Sequence, residues 1–199
     1  MFERFTKDAR AVVEGAVTHS GRVGARTVEE EHMLLALLDR EGTRGSFALT
    51  SLGETGFRES LERDLAEARR RGGLSRADAD ALSGLGIDLS EIVSRVEEAH
   101  GEGVLEPGGR GGDGRRGRRR PFGQEAKDVL VRALRIATAR RDRHIGDEHL
   151  LLAITLRGGV AAEVLADHGV TYESVTRVLY GGTGAGAGAG GENGVAEAG

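Results

Sequence analysis

Glu31-His32-Met33-Leu34-Leu35-Ala36-Leu37 returns 117 positions later as Glu148-His149-Leu150-Leu151-Leu152-Ala153-Ile154, with five of the seven residues identical. The same offset carries Phe5, Ala9, Val12, Val13, Ala16 and Val17 onto Phe122, Ala126, Val129, Leu130, Ala133 and Leu134. The spacing i, i+4, i+7, i+8, i+11, i+12 puts six apolar side chains on one helical face. Two unrelated stretches obeying one offset mark an internal duplication.

Around these anchors each unit reads as four helices. In the first, Thr6 caps a helix running to about residue 19; residues 30–39, 46–52 and 57–71 follow, with Gly53 ending the third. In the second they fall near 124–141, 147–156, 160–167 and 172–179. Glycines stand at most of the ends, as C-terminal caps do. Residues 81–100 echo the passage at 164–175 and are expected to form an extra helical half-unit attached to the first repeat. No run alternates with strand periodicity, so the expected class is all-α, a duplicated four-helix repeat.

Nine of the 33 glycines lie in residues 101–123 and nine more in 181–199. The expected organisation is therefore a first repeat over 1–73, the half-unit over 74–100, a Gly/Arg-rich flexible linker over 101–121, a second repeat over 122–181, and a disordered Gly/Ala tail over 182–199. The net charge is −4, so no overall basic field draws nucleic acid or anionic lipid. No cysteine is present, which removes disulfides, thiolate metal sites and cysteine nucleophiles. The apolar runs fall far short of the roughly 18 residues of a membrane span. The charged start Met1-Phe2-Glu3-Arg4-Phe5 lacks the apolar core of a signal peptide, and a cytoplasmic setting is expected.

The start Met1-Phe2-Glu3-Arg4-Phe5-Thr6, the stretch Ile145-Gly146-Asp147-Glu148-His149-Leu150-Leu151-Leu152-Ala153, and Arg120-Pro121-Phe122 opening the second unit resemble the double Clp N-terminal domain of Hsp100 unfoldases, most closely the ClpC type. The resemblance runs from Met1 to Gly181, except over about 74–120, where this chain is longer. It implies a pseudo-twofold helical domain that binds Clp substrates, adaptors or peptides, with a Clp ATPase as a further candidate partner. It implies no chemistry and no cofactor. The ATPase modules that follow this domain carry Gly-x-x-x-x-Gly-Lys-Ser/Thr. The only lysines here, Lys7 and Lys127, follow no such pattern, and a stand-alone, complete domain protein is the expectation.

The family's first and fifth helices flank a groove that receives adaptors and cyclic-peptide antibiotics. Its lining maps onto Phe2, Arg10, Val13, Phe122, Lys127 and Leu130. Two phenylalanines near the unit starts offer apolar surface, with Arg10 and Lys127 as polar anchors. The residue types equally suit Phe122 as a core residue and Phe2 as a chain end. Val17 and Val131 stand where the ClpC type carries polar residues.

The ClpC type also reads phosphorylated arginine through glutamates that map onto Glu31 and Glu148. The Thr that precedes each is replaced by Glu30 and Asp147, which adds a carboxylate where a phosphate wants donors. An unmodified arginine or lysine side chain suits these acids better. They also suit the first turn of a helix, whose dipole they complement, and Thr27 with Glu30 fits a capping box. His144 and His149 lie one residue too far apart for a His-x-x-Glu-His metal motif. A histidine beside an apolar run in both units reads as a buried hydrogen bond at the helix start. No nucleophile motif is present, so no enzyme is expected. A second reading makes the chain a DNA-binding or transcription-regulating protein that contacts phosphates through Arg115–Arg120. A solvated linker fits that run equally well.

Overall fold

In a computed structural model the described residues are 2–71, 74, 76–100 and 120–181. They form a 3-10 turn over Phe2–Arg4 and ten helices: α1 (Lys7–Arg22), α2 (Glu30–Leu38), α3 (Arg44–Leu52), α4 (Phe57–Arg70), α5 (Arg76–Gly84), α6 (Leu89–His100), α7 (Gln124–Ala139), α8 (Asp147–Arg157), α9 (Val160–Asp167) and α10 (Tyr172–Tyr180). No strand occurs among the described residues, and the all-α class holds. The expected linker, apart from residues 120 and 121, and the expected tail lie outside the described residues.

Local chemistry explains most of the boundaries. Thr6 accepts the Ala9 N–H at 3.1 Å and starts α1. Thr43 and Thr171 do the same for Ser46 and Ser174 at the starts of α3 and α10, and each serine hydroxyl accepts the threonine N–H in return. This reciprocal pairing satisfies two amides that a helix start otherwise leaves open.

The start of α2 corrects one expectation. Thr27 and Glu30 form no capping box; Glu29 is the cap residue, and its N–H donates to Nδ1 of His32 at 2.9 Å. The second unit repeats the arrangement, Gly146 N–H donating to His149 Nδ1 at 2.9 Å. A neutral imidazole three residues into the helix does the work of the capping-box glutamate, which is why the same histidine recurs in both units. The buried hydrogen bond expected of these histidines is present.

The duplication governs how the units pack. Phe5 pairs in parallel with Ile145, and Phe122 pairs in parallel with Val28. Residues 28 and 145 are again 117 apart, so each unit's lead segment crosses to the entrance of the other unit's Glu-His helix. The hydrogen bonds match as well. Thr6 N–H reaches Ile145 O at 2.9 Å and Ile145 N–H reaches Arg4 O at 2.7 Å. Gly123 N–H reaches Val28 O at 2.9 Å and Val28 N–H reaches Pro121 O at 2.9 Å. One hydrophobic core then runs through both units, centred on α2 and α8, whose Leu34, Leu37, Leu151 and Ile154 are fully buried.

A shared core predicts shared unfolding. Leu34→Ala and Leu151→Ala remove equivalent side chains, and each lowers stability by about 2–5 kcal/mol. Both variants unfold in one transition by circular dichroism and by calorimetry, whereas Phe47→Ala, at a 60% exposed position, stays within about 0.5 kcal/mol of the parent. Two separate transitions would show units that fold independently.

Candidate functional site

Two sets of residues were singled out by sequence, and the structure places them differently. Of the groove set, Leu130 lies half-buried on α7, three residues beyond the exposed Lys127, so both belong to one helical face. Leu130 lines a cleft of about 230 Å³ with Leu134, Ile145, Phe5, Arg4 and Glu3. Phe2 belongs to the 3-10 turn that leads into this cleft; its side chain lies outside the described residues. Arg10 is exposed near the start of α1, its Nε–H directed at Thr6 O at 3.5 Å. Val13 is 7% exposed and belongs to the core. Phe122 is half-buried and packs on the core beside its bridge to Val28.

Sequence reasoning missed Leu134, Ile145 and Phe5 as cleft residues. Leu134 was within reach, being one turn beyond Leu130 on the same face. Ile145 and Phe5 meet only through the crossed bridge, which no local pattern announces.

The acidic set is engaged by the chain's own arginines. Glu30 is buried and its Oε2 accepts Arg157 Nη1 at 2.6 Å, while Arg157 Nη2 reaches Glu125 at 2.9 Å. Glu31 pairs with Arg69 Nε at 3.0 Å. Glu148 pairs with Arg44 Nη1 at 3.0 Å, and Asp147 accepts the Gly45 N–H at 2.9 Å. Glu30, Asp147 and Glu148 therefore reach from one unit into the other. The Asp147 contact requires glycine at position 45, because a Cβ there would stand 2.5 Å from the carboxylate. Arg44 also faces Tyr180, whose ring lies 3.2 Å from Cζ of Arg140 on its other contact.

Burial sets the electrostatics. Desolvation pushes the Glu30 carboxyl up to about 7, with Arg157 opposing and Glu125 reinforcing the rise. Glu31 and Glu148 are raised by the same cause against Arg69 and Arg44. His32 is pushed down to about 4, first by burial and then by the Arg69 charge. Since Nδ1 of His32 and of His149 accepts a backbone amide, the ring proton sits on Nε2. In His149 that proton faces Asp142 Oδ2 at 3.0 Å. Both imidazoles are thus committed to holding helix starts. Among the described residues no cluster of His, Asp and Glu has the arrangement of a metal site. Arg115–Arg119 lie outside the described residues, and Arg120 donates through Nε to Ala25 O at 2.9 Å.

The Clp repeat (R) N-terminal domain family matches residues 74–168 and 121–197. The chain belongs to this family. It is 31% identical over 175 residues to an ATP-dependent Clp protease ATP-binding subunit ClpA homolog of Cyanidium caldarium, covering 85% of this chain and 15% of that protein. It is 32% identical over 181 residues to the chloroplastic chaperone protein ClpC2 of Oryza sativa subsp. japonica, covering 90% of this chain and 15% of that protein. The chain thus spans about 15% of the length of these relatives. A chain solved in "preliminary structural investigations of a malarial protein secretion system" overlays with a TM-score of 0.54, covering 88% of this chain and 92% of that one. At 14% identity this likeness concerns the fold alone. Among the described residues no single helix is long and apolar enough to cross a membrane.

The raised Glu30 carboxyl gives a test with a definite sign. A carboxyl that binds its proton more tightly folded than unfolded contributes stability below its unfolded value of 4.5, and that contribution is lost as pH rises through about 7. His32 acts in the opposite sense over an overlapping range, so the difference between variants isolates each group. Glu30→Gln gains stability relative to the parent as pH goes from about 4.5 to 7, by on the order of 2–3 kcal/mol. Urea titrations at half-unit pH steps measure it; a difference that does not change with pH would exclude a raised Glu30.

Proposed function

We propose that this Clp N-terminal domain is a non-catalytic, cytoplasmic binding module for peptide segments of Clp substrates or adaptors. In this reading it engages them through the face shared by the 3-10 turn, the start of α1 and the start of α7. The cleft of about 230 Å³ floored by Phe5, Leu130, Leu134 and Ile145 carries the proposal. It has room for one apolar side chain, and Lys127 and Arg10 are exposed nearby in sequence to meet a peptide's carbonyls or acids.

The energetics say what a ligand must do. Burying one large apolar side chain contributes about 1.5–3 kcal/mol. A micromolar complex needs about 8 kcal/mol net of ordering costs. A ligand with a single anchor in the cleft therefore binds weakly, and useful affinity requires a second contact such as the half-buried Phe122. A constrained, cyclic peptide meets this requirement best, because its ordering cost is met before binding. Groove-directed cyclic peptides are accordingly included among the ligands, together with the presentation of captured segments to a Clp ATPase. Family membership supports this reading, since the relatives are named as Clp protease subunits and chaperones.

The acids Glu31 and Glu148 are assigned a lesser part. Each is engaged by an internal arginine, Arg69 and Arg44, so an arginine side chain of a ligand would have to replace one of these. Arg44, half exposed on its side chain, is the one more open to exchange.

Isothermal titration with a groove-directed cyclic peptide tests the proposal. Wild type gives a saturable heat, and Phe122→Ala combined with Leu130→Ser weakens binding roughly tenfold or more, which corresponds to 1.4 kcal/mol or more. Absence of heat with wild type, or unchanged affinity in the double variant, would overturn it.

A further inference from the structure

The helical pair α5–α6 is a structural copy of α9–α10, displaced by 83 residues. In α9–α10 the turn is closed by His168 N–H to Leu165 O at 3.1 Å, Gly169 N–H to Ala166 O at 2.9 Å and Val170 N–H to Leu165 O at 2.8 Å. In α5–α6 the same three bonds run from Leu85 to Leu82 at 3.0 Å, Gly86 to Ser83 at 2.9 Å and Ile87 to Leu82 at 2.9 Å. Gly86 and Gly169 both take the left-handed conformation, φ +80° and +75°, that this turn demands. Asp88 then caps α6, accepting from Ser90 and Glu91, where Thr171 caps α10.

The two copies differ in what covers them. Val170 and Val175 are fully buried, because α9–α10 packs on α8, α3 and α4. Their counterparts Ile87 and Ile92 are 38% and 44% exposed, and Leu85 is 78% exposed. On α6, Leu89, Ile92, Val93 and Val96 repeat at i, i+3, i+4, i+7, the pattern of a face meant for burial, and none is buried. The pair is held to the body at its start, by Arg76 N–H to Glu163 at 2.7 Å and the Arg76–Asp167 ion pair at 3.1 Å.

Charge identifies the missing cover. By sequence the pair carries Asp78, Asp80, Asp88, Glu91, Glu97 and Glu98 against Arg76 and Arg95. Arg76 is engaged by Asp167 and Arg95 by Glu91. An acidic surface around an apolar stripe repels a second copy of itself and favours a basic partner. The chain's own basic segment, 101–120, offers only Val104 and Leu105 side by side and no helical apolar period.

We propose that the exposed face of α5–α6 docks a basic amphipathic helix of a partner protein, which takes the position that α8 and α3 occupy against α9–α10. The surface is separate from the cleft at α7, so the proposal stands without the preceding one.

The probe is a fluorescein-labelled synthetic helix with leucines at i, i+3, i+4, i+7 and Lys/Arg elsewhere, titrated with the full chain. A second peptide with the same leucines and Glu in place of Lys/Arg is the control. The basic peptide binds saturably, more weakly by roughly tenfold between about 50 and 500 mM salt, and the acidic one does not bind. Ile87→Ser with Ile92→Ser weakens binding roughly tenfold or more, Asp80→Lys with Glu98→Lys does so with the apolar stripe intact, and Phe122→Ala leaves it unchanged. Equal binding of both peptides, no binding, insensitivity to both double variants, or loss in Phe122→Ala would overturn the proposal. So would a sedimenting dimer that the isoleucine variant dissolves, since a second copy would then be the occupant. A roughly tenfold gain when Arg115, Arg116, Arg118 and Arg119 become Ser would instead make the chain's own segment the cover.

Discussion

The crossing of the two lead segments is the constraint on which the rest of the fold depends. Phe5 bonds through its neighbours to the backbone at Ile145, and Phe122 sits in the equivalent pairing with Val28. Neither pairing can form within one unit. Each places the entrance of a Glu-His helix against the first turn of the opposite repeat, so α2 and α8 are pushed side by side into the centre. That position explains their composition: residues 33–37 of α2 and 150–154 of α8 are apolar without a break and buried, as helix segments with no solvent face are, and α8 turns polar again at Thr155 and Arg157.

The first turn is where such a helix has difficulty, because its open amides and its charged residues enter the core together. The histidine at the third position takes up the amide of the cap residue. The carboxylates Glu30, Asp147 and Glu148 are met by Arg157, the Gly45 amide and Arg44 of the other unit. Buried pairs of this kind add little net stability, since desolvation offsets most of the attraction. Their effect is on register: a unit shifted by one helical turn would leave these acids buried without partners, at large cost. Of the two glutamates that first suggest ligand recognition, Glu148 thus binds the halves to one another and Glu31 is held by Arg69 inside the first unit, while the apolar cleft at α7 is the face for a ligand in the reading proposed above.

Much of the fold was legible. Helix ends depend on residues within four positions of each other, so Thr6 and Gly53 marked them to within a few residues. The duplicated histidine was readable as a helix-start hydrogen bond because it recurred beside an apolar run and lacked metal-ligand spacing. The capping box at Thr27 and Glu30 was misread for a physical reason: the spacing is right, but Glu30 is drawn to Arg157, and the imidazole of His32 supplies the acceptor instead. Of the cleft, Leu130 and Lys127 could be found from one helical face, while Ile145 and Phe5 could not, because their meeting depends on the crossed backbone pairing. The half-unit at 81–100 was visible as an echo, but its lack of cover was not.

The periodicity of apolar residues, the 117-residue offset and the local caps determined by themselves that this chain is a duplicated helical protein, since periodicity and caps act over a few turns of helix and the offset compares two such stretches residue by residue. Only the tertiary structure decided which acids are spent inside the molecule, which apolar residues gather into a cleft, and which amphipathic face is left open. Those outcomes depend on contacts between residues about a hundred positions apart. Burial there, and not residue type, determines whether a carboxylate is a ligand site or a staple, and whether an isoleucine is core or surface.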